Sequence, residues 1–168
     1  MKRPLVFSFA VFCLAAVAQV AAAPVFVMKA TTTNVPERID LPEADAQAIL
    51  NDAAEYPNEA PEAVACQKED TYDATLDATY RLLCVRVQLA PGQEGLLVMG
   101  TGDYRGETDA PFWLFRKNQL VLKVRADEVN LLSQMSGGMQ MIEAVHGKQQ
   151  VERFAFNGRR YLKVGSSS

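Results

Sequence analysis

The sequence predicts an α+β fold: a single domain built as an antiparallel β-meander of about six to seven strands, with one N-terminal amphipathic helix. Three observations carry this. From Tyr80 onward, apolar residues recur at a period of two, in short runs separated by turns bearing glycine or asparagine. Ahead of those runs, one segment repeats its apolar residues at helical spacing. No internal repeat, long linker or low-complexity block divides the chain.

Residues 1–23, "MKRPLVFSFAVFCLAAVAQVAAA", read as a secretory signal. Lys2 and Arg3 supply the charged start, Leu5 to Val20 the apolar run, and Ala21, Ala22 and Ala23 the small residues that suit cleavage. The run is short for a membrane span and no stop-transfer charges follow it. Cys13 lacks the small-residue approach of a lipoprotein site. The expected product is residues 24–168, about 145 residues, periplasmic or secreted, with no transmembrane segment and enough chain for a hydrophobic core.

"PVFVMKATTTNVPER" is an extended leader. In "IDLPEADAQAILNDAAEYPNEAPEA", Asp40 and Glu43 have capping-box spacing and Pro42 suits a first turn. Ala46, Ile49, Leu50 and Ala53 then form one helical face, and Pro57 stops the helix. "TYRLLCVRVQLA" follows as a strand, with Leu83, Val85, Val87 and Leu89 on one side and Tyr80, Leu82, Cys84 and Arg86 on the other. "LLVMG" is the next strand and "TGDYRGETDA" a polar loop.

"PFWLFR" and "QLVLKVR" form a hairpin through Lys117-Asn118. With a regular two-residue turn, Phe115 lies opposite Leu120 and Trp113 opposite Leu122. Trp113, Phe115, Leu120, Leu122 and Val124 then share the core face. Phe112, Leu114 and Val121, beside Arg116 and Lys123, take the face the helix partly covers. "ADEVNLLSQMSGG" is a connector with a brief helical turn. "MQMIEAV" is a strand despite its helix-favouring residues, because Gly137-Gly138 and His146-Gly147 bracket too short a piece for a helix. "QVERFAF" and "RRYLKV" close the series through a type I′ turn at Asn157-Gly158, which sets Phe154 opposite Tyr161 and Glu152 opposite Lys163. The tail, residues 165–168, is expected to be loose.

Charge is segregated. Glu37 to Asp109 holds sixteen acids and five bases, a net of −11, whereas Lys148 onward holds five bases against Glu152, a net of +4. The two regions either balance side by side or offer the basic end to an anionic partner. The two cysteines beyond the signal, Cys66 and Cys84, predict a structural disulfide in an oxidising compartment; a reactive thiol is the other reading.

Catalytic constellations are scarce. His146 is the only histidine, and no serine stands in a G-x-S-x-G elbow. "EAVH" has the spacing of a di-iron helix but neither a helix nor a second copy. "GTGDYRG" leads into a strand rather than a helix and lacks a phosphate-loop lysine. Asp103, Glu107 and Asp109 lack the calcium-loop order. A carboxylate pair acting on a sugar would depend on spatial separation, which spacing along the chain does not set. No enzyme activity, catalytic residue, metal, cofactor or nucleic acid is expected.

"PFWLFRKNQLVLKV", "SGGMQMIEAV" and "VERFAFNGRRYLKV" together resemble the C-terminal half of small exported bacterial proteins of unassigned function. Those share a W-x-F strand, a glycine-bearing turn and a closing strand pair ending in G-[RK]-x-Y. The resemblance runs from Leu96 to Val164 and implies a periplasmic α+β domain with no catalytic residue. Its relatives carry cysteines near the W-x-F strand, and this chain has none there.

The leading expectation is a non-enzymatic protein-binding module, an inhibitor or immunity protein for an exported cell-wall hydrolase or toxin. Tyr104 and Arg105, in the polar loop, are its anchors, and the acidic half would steer a basic partner. The alternative is a cell-envelope assembly or maintenance factor contacting anionic polymer or lipid through Arg153, Arg159, Arg160 and Lys163, whose guanidinium forks suit carboxylate or phosphate.

Overall fold

The computed structural model describes residues 22–33, 39, 41–55, 82–101, 104–148 and 150–167. Within them lie β1 (Pro24–Lys29), α1 (Glu43–Glu55), β2 (Leu82–Ala90), β3 (Gln93–Gly100), β4 (Ala110–Arg116) and β5 (Gln119–Ala126). These are followed by β6 (Glu128–Ser136), β7 (Met139–His146), β8 (Gln150–Phe156) and β9 (Tyr161–Ser167). Residues 1–21 of the predicted signal segment, Asp40 and Cys66 lie outside the described residues, and with them the apolar run of the signal, the capping box and the Cys66–Cys84 pairing.

The predicted α+β class holds: one helix accompanies antiparallel strands in two sheets, ordered β2-β3-β4-β5 and β1-β6-β7-β8-β9. There are nine described strands rather than six or seven. The leader is β1, which pairs with β6 across a long sequence separation. The connector read as carrying a helical turn is β6, with Val129 and Leu131 in the core. The tail is not loose through Ser167: Gly165, Ser166 and Ser167 pair with Arg153, Glu152 and Val151.

One apolar cluster joins the sheets face to face, drawing Val87 and Leu89 from β2, Phe112 and Leu114 from β4, and Ile142, Phe154 and Phe156 from the other sheet. A second lies on the outer face of the four-stranded sheet under α1, where Ala46, Ile49 and Leu50 meet Leu82, Cys84, Val98, Trp113 and Phe115. These three helix residues come from the predicted face, and burying Ile49 and Leu50 contributes about 1.5–3 kcal/mol each. β4 is therefore buried on both sides, which is why its sequence is apolar at every position from Ala110 to Phe115.

The faces of β4 are the reverse of the expected ones. Phe112 and Leu114 point between the sheets, while Trp113 and Phe115 point to α1. Lys117 and Asn118 adopt φ of 50° and 56°, as a type I′ turn requires, and Phe115 does oppose Leu120. A bulge then places Val121 between the paired residues, so Leu114 opposes Leu122 and Trp113 opposes Lys123. One extra residue shifts the parity of everything beyond it.

Gly137 and Gly138 close β6 on β7 with φ of +59° and +79°. Gly137 is required twice over, because a Cβ there would stand 1.9 Å from the carbonyl oxygen of Phe156. The last hairpin also departs from expectation. Its loop runs through Asn157, Gly158, Arg159 and Arg160, so Phe156, not Phe154, opposes Tyr161. Phe154 opposes Lys163 in the same register, and a second bulge follows it, so that Arg153 opposes Gly165.

Candidate functional site

β5 ends one sheet and β9 ends the other, and the two edge strands form the banks of an open cleft. Its inner part, about 360 Å³, is lined by Leu120, Val121, Leu122 and Lys123 from β5 and by Tyr161, Leu162 and Lys163 from β9, with Phe154 and Arg160. Its mouth, about 560 Å³, is lined by Gln119, Leu120, Asn157, Arg159 and Arg160. Leu120 and Arg160 belong to both, so the two parts are continuous.

The mouth is shaped by the β8–β9 loop. The Asn157 side-chain oxygen accepts from the backbone N–H groups of Arg159 (3.0 Å) and Arg160 (2.9 Å), and the Asn157 N–H donates to the Arg160 carbonyl at 3.1 Å. This Asx-type closure satisfies the loop's backbone and leaves both arginine side chains exposed. Among the described residues no carboxylate lies within ion-pair distance of either guanidinium.

The two lysines of the inner part are held differently. Lys123 Nζ lies 3.1 Å from Asp52 on α1, whose carboxylate also accepts from Trp113 Nε1 at 3.0 Å. Lys163 Nζ lies 2.5 Å from Glu152, and His146 Nε2 lies 3.6 Å from the same carboxylate. The hydrogen bond and charge of Lys163, helped by His146, hold Glu152 below its ordinary pKa against the opposing effect of burial. The wall of the cleft is braced by Tyr161, whose hydroxyl donates to the Gln140 carbonyl at 3.0 Å and whose ring centroid lies 5.3 Å from that of Phe156. Burial raises the Tyr161 phenol well above its ordinary pKa.

The residues singled out from sequence scatter. Arg159 and Arg160 come together as described. Arg153 does not join them: it lies on the outer face of the five-stranded sheet, where its Nε donates to Glu143 at 2.7 Å. Tyr104 is not an exposed anchor. It is 1% exposed, its N–H donates to the Thr101 carbonyl, and that turn sends the ring inward to meet Trp113 edge-on at 6.3 Å and 84°. Arg105 donates to the Thr32 carbonyl at 3.1 Å and ties the loop to the segment after β1. Cys84 is buried beneath α1 on β2.

Sequence reasoning missed Leu120 and Leu162 as surface residues. They are 37% and 39% exposed on opposite banks of the cleft. Leu120 opposes Phe115 as expected and so shares that residue's face, the α1 side of the four-stranded sheet, rather than the core between the sheets. Leu162 pairs with Ala155, whose neighbours Phe154 and Phe156 are the core-facing residues of β8. A separate pocket of about 190 Å³ lies between α1 and β3, with Asp45, Arg86, Glu94 and Lys117 among its lining.

No family model, curated protein or solved structure matches the chain. Among the described residues, no three His, Cys, Asp or Glu side chains are grouped to hold a metal ion, and no helix is long and apolar enough to cross a membrane.

Proposed function

We propose that this protein is a non-enzymatic binding module of the cell envelope that holds an anionic component, polymer or lipid, at the cleft between β5 and β9. The carrying observation is the pair Arg159 and Arg160, presented side by side on a closed loop at the mouth of that cleft without a carboxylate partner among the described residues. Two such forks favour phosphate, carboxylate or sulfate. The one histidine adds to the non-enzymatic reading. Its neighbour Glu152 has a lowered pKa, opposite to what a general acid needs, and is engaged by Lys163. The reading as an inhibitor or immunity protein loses its motivating contact, since Tyr104 is buried.

The test is calorimetric titration of the purified chain with a soluble anionic polymer, dextran sulfate, and with monomeric dodecyl phosphate, at low and high salt. At least one ligand is expected to bind at low salt and to weaken in high salt, as exposed charge contacts do. Replacing both arginines (R159E with R160E) is expected to weaken that binding by about tenfold or more. No binding of either ligand, or binding that ignores both salt and the double variant, would overturn the proposal.

A further inference from the structure

Asp45, Ile49 and Asp52 follow one another at four and three residues along α1, so they share the edge of the helix that meets the four-stranded sheet. The two carboxylates are treated differently there. Asp52 receives two donors from the strands, Trp113 Nε1 at 3.0 Å and Lys123 Nζ at 3.1 Å. Asp45, two turns earlier, is 2% exposed, and its Oδ1 is shut off from water and meets no donor. Taking a carboxylate out of water without a donor is costly, so buried polar groups almost always have a partner. Where Asp52 meets two strands, Asp45 meets a space: it lines the pocket of about 190 Å³ between α1 and β3.

Strand register builds the rest of that pocket. Arg86 pairs with Leu96 and Leu96 with Phe115, one row across β2, β3 and β4 on the side of the sheet that α1 covers. Leu96 and Phe115 make the floor apolar, and Ile39 and Pro42 close it from the segment ahead of the helix. The other charges stand at the rim: Arg86 and Glu94 are exposed and 3.9 Å apart, and Lys117 is exposed on the β4–β5 turn. Facing water, they act weakly. Among the described residues no cation lies within ion-pair distance of Asp45. An anion would be repelled by this carboxylate, and a neutral apolar molecule would leave it without a donor. A bare metal ion needs several ligands, and none are grouped here among the described residues. A cation that carries N–H donors on a short hydrocarbon satisfies wall and floor together. The volume lies below the roughly 300 Å³ at which drug-sized sites begin, so the body is small.

We infer that the pocket between α1 and β3 takes a small organic ammonium, its N–H groups donating to the Asp45 carboxylate and its hydrocarbon resting on Leu96 and Phe115. The ligand gives Asp45 what Trp113 and Lys123 give Asp52, and charge-assisted hydrogen bonds of this kind are the strong ones. The pocket shares no lining residue with the cleft between β5 and β9, so this inference is independent of the binding-module reading.

The experiment follows amide chemical shifts of the purified full chain during titration with three probes. These are n-butylammonium, ammonium ion (the charge without the hydrocarbon) and 1-butanol (the hydrocarbon without the charge). Butylammonium is expected to saturate, to move the amides of the first turn of α1 and of Leu96, and to bind at least about tenfold more tightly than either comparator. Asp45→Asn, which keeps the shape and removes the charge, is expected to weaken it by about tenfold or more, with the amide spectrum otherwise that of the folded parent. Glu94→Gln, which removes only the rim acid, and the double exchange R159E with R160E are expected to change the affinity by less than about threefold. No saturable binding, an Asp45→Asn variant that binds like the parent, or a loss in Glu94→Gln as large as in Asp45→Asn overturns the inference. Ammonium ion or butanol binding as tightly as butylammonium overturns it too. Any of these leaves the arginine cleft standing, and failure of dextran sulfate and dodecyl phosphate at that cleft leaves the ammonium pocket standing.

Discussion

Asp45 shows how much one atom's surroundings decide. It occupies the first turn of α1, where the helix dipole favours an acid by about 0.3–1 kcal/mol, yet it is 2% exposed and its Oδ1 meets no donor. Burial without a partner disfavours the charged form and raises the pKa. An acid whose pKa is raised by folding holds its proton more tightly in the folded state. Its contribution to stability is thus fully present below the unfolded pKa and is lost as pH rises through the folded one. Asp45→Asn, which keeps the shape without the charge, is expected to raise the melting temperature at neutral pH and to change it little at acid pH. Equal shifts at both would show that the charge is not the source. None of this was legible in the sequence, where Asp45 reads as an ordinary acid at a helix start. Tyr104 misled for a related reason: in a polar loop, a single turn decides whether an aromatic faces water or a tryptophan.

At the scale of elements, α1 is attached by a thin, alanine-rich face and one polar clamp. Asp52 accepts from Trp113 Nε1 on β4 and pairs with Lys123 on β5, so one carboxylate joins the helix to two strands. Asp52→Ala leaves a buried indole N–H without its acceptor and a partly buried ammonium without this carboxylate, at a cost of about 1–3 kcal/mol. Because the clamp holds only the helix, the loss is expected to be local: amides of α1 should exchange faster with deuterium while those of β4 stay protected. Uniform acceleration across both elements would show that α1 is part of the global unfolding unit. The helix and its face were legible because Ala46, Ile49 and Leu50 recur at a period that only a helix brings together. Apart from β6, the strands from β2 onward were legible from alternation, and the short "MQMIEAV" from its bracketing turns. β1 was not, since its partner β6 lies far along the chain and pairing is not a local signal. β6 was hidden by Asn130, Ser133 and Gln134, polar residues that interrupt its apolar run. The register of β5 was readable up to Leu120 and wrong beyond it, because nothing in "QLVLKV" announces that Val121 is the bulged residue.

Across the whole molecule, two sheets share one core, and the chain passes directly from one to the other at Asp127, between β5 and β6. This residue uses every polar group it has. Its N–H donates to the Val145 carbonyl, its carbonyl accepts from Ala30, and its side chain accepts from the Gly147 N–H at 2.8 Å. One corner thereby secures the end of β1, the end of β7 and the turn toward β8. Elsewhere the edge strands β5 and β9 part, and the cleft lies between them. The site was half legible: "NGRRY" gave the arginines and their turn, but the cleft exists only where two sheet edges from distant parts of the chain come together. Asp127→Ala keeps the backbone bonds and removes only the side-chain one, which is solvent-exposed, so it is expected to cost about 1 kcal/mol. Denaturant unfolding should shift its midpoint with the slope unchanged, because both sheets bury the same core and unfold together. A shallower or two-step transition in this variant would mean that the corner, and not the shared core, couples the two sheets.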